Sequence, residues 1–183
     1  MVRSDVLDAG CGYAELSLAL ASDGYTVVGV DITPTAIAAA RKAAAERGLT
    51  NATFVQADIT ALHGYDGRFA TVIDSTLFHS LPLEAREGYL RAVHTAAAPG
   101  ASYFVLVFDR KAFPAQMETR PNAVDEDELR AIVSKYWEID GIRPAAIHAN
   151  MLRMPGVPEP DFEHDAKGRV KLPAFLLSAH KTD

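Results

Sequence analysis

Two carboxylates and two glycines carry the first chemical signal in the sequence. Val6-Leu7-Asp8-Ala9-Gly10-Cys11-Gly12 sets a glycine turn directly behind a short apolar run. Glycines at such a place let the chain turn sharply and let a ligand come close to the main chain. Asp31 closes the next apolar run, about 20 residues on, where an acid accepts from ribose hydroxyls. A glycine turn alone also fits a nicotinamide dinucleotide site or a plain structural turn. Glu15 separates these readings, because it stands where a dinucleotide fingerprint needs Gly or Ala, and a carboxylate there repels a pyrophosphate. Asp8 adds a second negative charge, and both acids suit a ligand that carries an ammonium and a sulfonium instead.

Further along, His79 in Asp74-Ser75-Thr76-Leu77-Phe78-His79-Ser80-Leu81-Pro82 follows the fourth apolar run and is expected at the same edge. A histidine there has a pKa suited to proton transfer near neutrality, which makes it the candidate general base. The competing reading is a packing or helix-capping role. His63, His94, His148, His164 and His180 show no ligand spacing, and Glu163-His164-Asp165 reads as a solvated turn rather than a metal site. Cys11 reads as a small buried residue rather than a reactive thiol.

The elements that must position these residues alternate between strand and helix, which argues for a parallel sheet with helices on both faces. Strands are expected at Val6 to Ala9, Val27 to Val30, Thr53 to Gln56 and Phe69 to Ile73. A helix through Leu16, Leu18 and Leu20 ends at Asp23-Gly24. Thr33-Pro34 marks the cap of a second helix, which runs to Arg47 before Gly48. Glu84 to Ala97 is expected to be helical, Pro99-Gly100 to break the chain, and Tyr103 to Phe108 to be a strand. Val124 to Tyr136 reads as a helix capped by Asp125, with Leu129, Ile132, Val133 and Tyr136 on one face. A strand interrupted near Gly141 and Pro144 is expected within Ile139 to Ile147. Ala149 to Pro173 reads as a long loop before a closing strand, Ala174 to Ala179.

The bulk properties narrow the function classes. A chain of 183 residues with 49% hydrophobic composition suits one α/β domain over residues 1–183. The net charge is -6 and no basic stripe is visible, which disfavours nucleic acid as a partner. Basic residues interleave with acids, as in Arg41-Lys42 and Arg86-Glu87, and read as solvated helix faces. No membrane span or signal peptide is recognised, and the single cysteine suits a reducing cytoplasm.

Asp8-Ala9-Gly10-Cys11-Gly12 resembles the first motif of class I methyltransferases that use S-adenosylmethionine (SAM). Asp31 matches that family's ribose acid, Gln56-Ala57-Asp58-Ile59 resembles its third-strand motif, and Val72-Ile73-Asp74-Ser75 its fourth-strand motif. The match runs from Asp5 to roughly Asp109, in order and in register. It departs at Ala14, where the family often has a third glycine. The resemblance implies a three-layer Rossmann-like fold with a mostly parallel seven-stranded sheet whose last hairpin includes one antiparallel strand. It also implies cofactor contacts from Asp8, Gly10, Cys11, Gly12, Asp31, Ile32, Asp58, Ile59, Asp74 and Ser75. Asp58 would face the adenine, and Asp8 and Asp74 the methionine part. The Pro-Pro-aromatic segment of nucleic-acid and glutamine amide methylases is replaced here by Ser75-Thr76-Leu77, which argues against amino methylation of a flipped base.

Within that family, Asp74 to Pro82, Tyr89 to Val93 and Tyr103 to Phe113 resemble actinobacterial small-molecule enzymes that methylate hydroxyls of heterocyclic or quinone-like toxins. The thiopurine methyltransferases are more distant. The implied function is methyl transfer from SAM to a small aromatic or heterocyclic acceptor at a hydroxyl oxygen, by a monomer or homodimer. Phe78, Phe108, Phe113 and Met117 are candidates for the acceptor pocket, and Met151 to Phe162 for a lid. Family members usually carry one or two further helices before the first strand, which predicts weak cofactor binding here. A SAM-binding module without catalysis and a nicotinamide oxidoreductase are the rival readings.

Overall fold

The computed structural model describes residues 2–113, 121–150 and 162–182. The chain runs β1 (Val6–Ala9), α1 (Glu15–Ser22), β2 (Val27–Asp31), α2 (Pro34–Glu46), β3 (Ala52–Gln56), β4 (Phe69–Ser75), α3 (Arg86–Ala96), β5 (Ala97–Phe108), α4 (Glu126–Val133), β6 (Glu138–Ala149) and β7 (Val170–His180). The seven strands form one sheet in the order β3-β2-β1-β4-β5-β7-β6. Pairing is parallel from β3 to β5, and β7 is antiparallel to both β5 and β6. This is the expected three-layer Rossmann-like arrangement. The order reverses between β1 and β4, and ligands of such sheets bind outside the carboxyl ends of the strands at that point.

Helices cover both faces because β1, β2 and β4 are buried on both sides and read as near-continuous apolar runs. Leu18 of α1 and Ile37 and Ala40 of α2 pack with Phe54 on one face. Tyr89, Leu90 and Val93 of α3 and Leu129 and Val133 of α4 pack on the other, with Trp137 and Tyr103. A Cβ on Gly29 of β2 would lie 2.7 Å from Phe54 Cδ1 and 2.9 Å from Cys11 Sγ, so only glycine fits where the helix-facing layer meets the sheet.

Several boundaries differ from the sequence reading. β5 begins at Ala97, ahead of Pro99-Gly100, which are absorbed as an irregularity in its pairing with β4. β7 begins at Val170 rather than Ala174, so Pro173 lies inside a strand. Pro173 pairs with Ala146 of β6 one step beyond the last β5–β7 pair, Phe108 with Ala174. Pro144 sits in β6 without a break because β6 is the edge strand, and the irregularity near Gly141 is a register shift. Asp125 caps α4 through Glu128 N at 2.9 Å, but the helix ends at Val133. Thr33 precedes Pro34 of α2 without a side-chain cap bond, and Asp31 Oδ1 accepts its N–H at 2.8 Å instead. Met117 and 151–161, which carry one acceptor candidate and most of the proposed lid, lie outside the described residues.

Candidate functional site

The turn after β1 is built around positive φ. Gly10 has φ +72 and Gly12 φ +52, conformations that cost an L-residue roughly 1–2 kcal/mol. Ala14 also sits at φ 65, at the entry to α1, and is buried with Leu18, Ile37 and Phe54. The family's usual third glycine would therefore relieve strain there but lose a buried methyl. The two glycines have different surroundings. A Cβ on Gly10 would lie 2.8 Å from Leu77 Cβ, whereas one on Gly12 would meet nothing within 4 Å. The Gly12 main chain thus faces open space, as a ligand-approach glycine must.

Asp31 ties the turn to β2. Its Oδ2 accepts the Gly12 N–H at 2.9 Å and its Oδ1 the Thr33 N–H, which fixes a half-buried carboxylate beside the open glycine. Ile32, next to it, is 67% exposed, and so is Tyr13 in the turn. Large apolar side chains left this open beside a glycine turn provide flat surfaces for a ring system. Asp58 is exposed at the end of β3, where its Oδ1 accepts from Thr60 N and Oγ1 and caps a short turn, Ile59–Ala61. The side chain of Ile59 is buried in the core, so Ile32 supplies the exposed apolar side chain at this end of the cleft. These residues fit a SAM-like ligand: an open glycine turn, an acid held beside it, and an apolar surface beside Asp58.

Asp8 and Asp74 do not reach into the cleft. Both are buried, and strand alternation sends them to opposite faces, since Asp8 pairs with Ile73 and Ala9 with Asp74. Asp8 accepts from Ser17 Oγ of α1 at 2.5 Å. Asp74 accepts from Leu77 N at 2.8 Å, Phe78 N at 3.2 Å and Tyr89 Oη at 2.8 Å, and Tyr89 in turn accepts from Tyr103. Asp74 thereby holds the loop that lays Leu77 against Gly10. Tyr89, Tyr103 and Thr76, a β-branched residue at φ 79 following half-buried Ser75, carry no sequence signal for these roles. Only the fold shows that they meet Asp74 or turn the loop.

Burial pushes the Asp74 carboxyl up to about 7, against its bonds to Tyr89, Leu77 and Phe78. Burial likewise pushes Asp8 up to about 6 and, with the nearby Asp8 and Asp31 carboxylates, the thiol of Cys11, which is half-buried rather than buried, up to about 12. A carboxyl that keeps its proton in the folded state, when the unfolded chain has released it, favours folding at low pH. Stability is therefore expected to fall as pH rises from about 4 through about 7. In chemical denaturation between about pH 5 and about pH 8, Asp74→Asn is expected to flatten that decline, leaving the part due to Asp8. Parallel slopes for the two proteins would exclude Asp74 as its source.

His79 is buried in the turn Phe78–Ser80. Its Nδ1 accepts the Phe108 N–H at 3.3 Å, which places the ring proton on Nε2, and its ring lies 4.3 Å from that of Phe108. Burial, aided by the charge of Arg86, lowers its pKa to about 4. A ring whose Nδ1 lone pair is engaged by the main chain and whose pKa is lowered by burial is poorly suited to act as a general base near neutrality. Replacing His79 with Ala is expected to lower kcat/KM less than about tenfold and to preserve the shape of the pH–rate profile. A loss of about 100-fold or more, with the rising limb gone, would restore the base role.

Of the acceptor candidates, Phe78 is fully buried under Arg86, while Phe108 and Phe113 are half-buried and pack edge to face at 4.9 Å. Phe113 lines a cavity of about 200 Å³ with Leu83, Arg110, Pro121, Asn122, Ala123 and Glu128. The cavity adjoins the loop after β4, because Asn122 donates its N–H to His79 O and its Nδ2 to Leu81 O, both at 2.9 Å. A larger hollow of about 420 Å³ beside Arg41, Leu49 and Phe54 lies between α2 and β3, away from the glycine turn. Asp165 closes its turn on Lys167, Arg169 and His148, and no metal cluster occurs among the described residues.

Residues 6–100 match the family described as a methyltransferase domain. The chain is 54% identical, over 98% of its length and 80% of the relative's, to the 2-heptyl-1-hydroxyquinolin-4(1H)-one methyltransferase of Mycobacteroides abscessus. It superposes at TM-score 0.81, with 30% identity over 99% of this chain and 76% of the other, on a structure from work on the conversion of a disulfide bond into a thioacetal group during echinomycin biosynthesis. The Burkholderia thailandensis 1,6-didemethyltoxoflavin-N1-methyltransferase, solved with S-adenosylhomocysteine, shares the fold at TM-score 0.68 and 21% identity, over 97% of this chain and 71% of that one. The chain belongs to the methyltransferase domain family and is a SAM-dependent methyltransferase. The nicotinamide reading is thereby set aside.

Proposed function

We propose that this enzyme methylates a hydroxyl oxygen on a small, flat heteroaromatic molecule of the 1-hydroxyquinolone type. The observation that carries this is the 54% identity, spread over 98% of the chain, to a methyltransferase named for such an acceptor. In this reading Gly10 and Gly12 receive the methionine part of SAM, Asp31 the ribose, and Ile32 and Asp58 the adenine. The acceptor lies against the loop after β4, near Phe108 and Phe113. Residues 1–183 act as one domain on a small molecule in the cytoplasm, as monomer or homodimer and without nucleic acid. Among the described residues no helix is long and apolar enough to cross a membrane.

Bound SAM supplies a methyl on a positively charged sulfur, which leaves as a neutral thioether. The protein's task is to align the acceptor oxygen with that methyl and exclude water. A hydroxyl on a ring nitrogen, conjugated to a carbonyl, is acidic enough to ionise without a protein base, which agrees with a His79 that has no free lone pair. The test is a matched pair of acceptors, a 1-hydroxyquinolin-4-one and the same ring bearing N–H. Turnover on the hydroxylated ring alone is expected. Turnover on both would move the methyl to another atom, and turnover on neither, with tight S-adenosylhomocysteine binding, would mark a binding module.

A further inference from the structure

Arg86 breaks three local rules at once. It is a charged residue that is 1% exposed, where the sequence pattern Arg86-Glu87 suggests a solvated face. It is the first residue of α3, where the helix dipole disfavours a cation. Its Nε is buried without a hydrogen-bond partner. Residues that violate local preference mark places where another requirement prevails.

That requirement is visible in what the guanidinium joins. It lies 4.6 Å from the ring centre of Phe78, in the turn after β4. Its Nη1 donates to Glu128 Oε1 of α4 at 3.0 Å, and its Nη2 donates to the Asn122 carbonyl. Asn122 is itself bonded to His79 and Leu81, and Glu128 also pairs with Arg110. The segment from Asn122 to Glu128 is thus fastened to the loop after β4 from behind. On the open side, Leu83, Asn122 and Glu128 form walls of the 200 Å³ cavity, and Leu83 is 60% exposed. The contacts that hold the glycine turn, Gly12 to Asp31 and Leu77 to Asp74, do not touch the guanidinium, and Asp74 meets Phe78 only through its main-chain N–H, not through the ring over which Arg86 lies.

We propose that Arg86 is a positioning residue for the methyl acceptor: by clamping Asn122 and Glu128 to the loop after β4 it fixes the acceptor-side wall without contributing to cofactor binding. This rests on the acceptor reading above. Arg86→Met keeps the apolar stem over Phe78 and removes the clamp, leaving the half-exposed Glu128 paired with Arg110 alone. A second variant, Arg86→Lys, keeps a cation beside Glu128 and leaves the cavity wall unaltered, but its single ammonium cannot bridge Glu128 and the Asn122 carbonyl as the guanidinium fork does.

With a 1-hydroxyquinolin-4-one as acceptor, Arg86→Met is expected to raise the acceptor KM about tenfold or more, with kcat and S-adenosylhomocysteine Kd within about threefold. Arg86→Lys should recover Tm but not KM. Hydrogen exchange should speed up in both variants at Phe108 and Asn122 and stay unchanged at Gly12. A KM that returns with Tm, or that moves together with the S-adenosylhomocysteine Kd, would reduce Arg86 to a structural residue. If the wild-type protein does not methylate this acceptor, the functional reading fails by itself. Exchange then decides the clamp, and unchanged exchange at Phe108 and Asn122 overturns it.

Discussion

Gly12→Val is expected to weaken S-adenosylhomocysteine binding by at least about 100-fold while leaving a folded protein. No atom stands within 4 Å of a Cβ at Gly12, so the side chain meets no protein neighbour. The folding cost is the strain of φ +52, roughly 1–2 kcal/mol. The isopropyl group fills the space in which a ligand would approach the main chain, and a ligand displaced by even about 1 Å loses its aligned contacts. Calorimetric titration paired with thermal unfolding separates the two quantities. Retained affinity in a folded variant would mean that the cofactor does not pass over Gly12.

Gly10→Ala is expected to act on stability first, by about 2–5 kcal/mol. The strain at φ +72 accounts for roughly 1–2 kcal/mol, and a methyl placed 2.8 Å from Leu77 Cβ adds an overpacking cost of about 1–3 kcal/mol. Because Leu77 is held by Asp74, the loop after β4 cannot yield without giving up that bond. Adding Leu77→Gly removes the atom in conflict and is expected to recover part of the loss, measured by denaturant unfolding. A Gly10→Ala protein as stable as the wild type would show that the loop does not lie on the turn.

The sequence was most legible where punctuation and chemistry coincide. Gly10, Gly12, Asp31 and Asp58 stand at the ends of short apolar runs, so placing the strands also placed them at one edge. It was least legible where a rule of thumb depends on neighbours far along the chain. Pro173 signals a loop, yet it sits in β7 where β5 has already ended, and Pro144 sits on the edge strand. Asp8 and Asp74 have the right types and spacing for ligand contact. Only the register Ala9 to Asp74 shows that they point to opposite faces and into the core. Arg86 shows the same limit, since a residue next to Glu87 at a helix start gives no sign of a distant Glu128 and Asn122 that draw it inward.

Transfer of the methyl group to oxygen is read from the product of a single labelled turnover. The protein is incubated with SAM carrying a carbon-13 methyl and with a 1-hydroxyquinolin-4-one, and the product is read by carbon-13 NMR. One labelled methyl with the chemical shift of an oxygen-bound group is the predicted result. A labelled methyl on ring carbon or nitrogen, or no labelled product from a protein that binds S-adenosylhomocysteine, would contradict it.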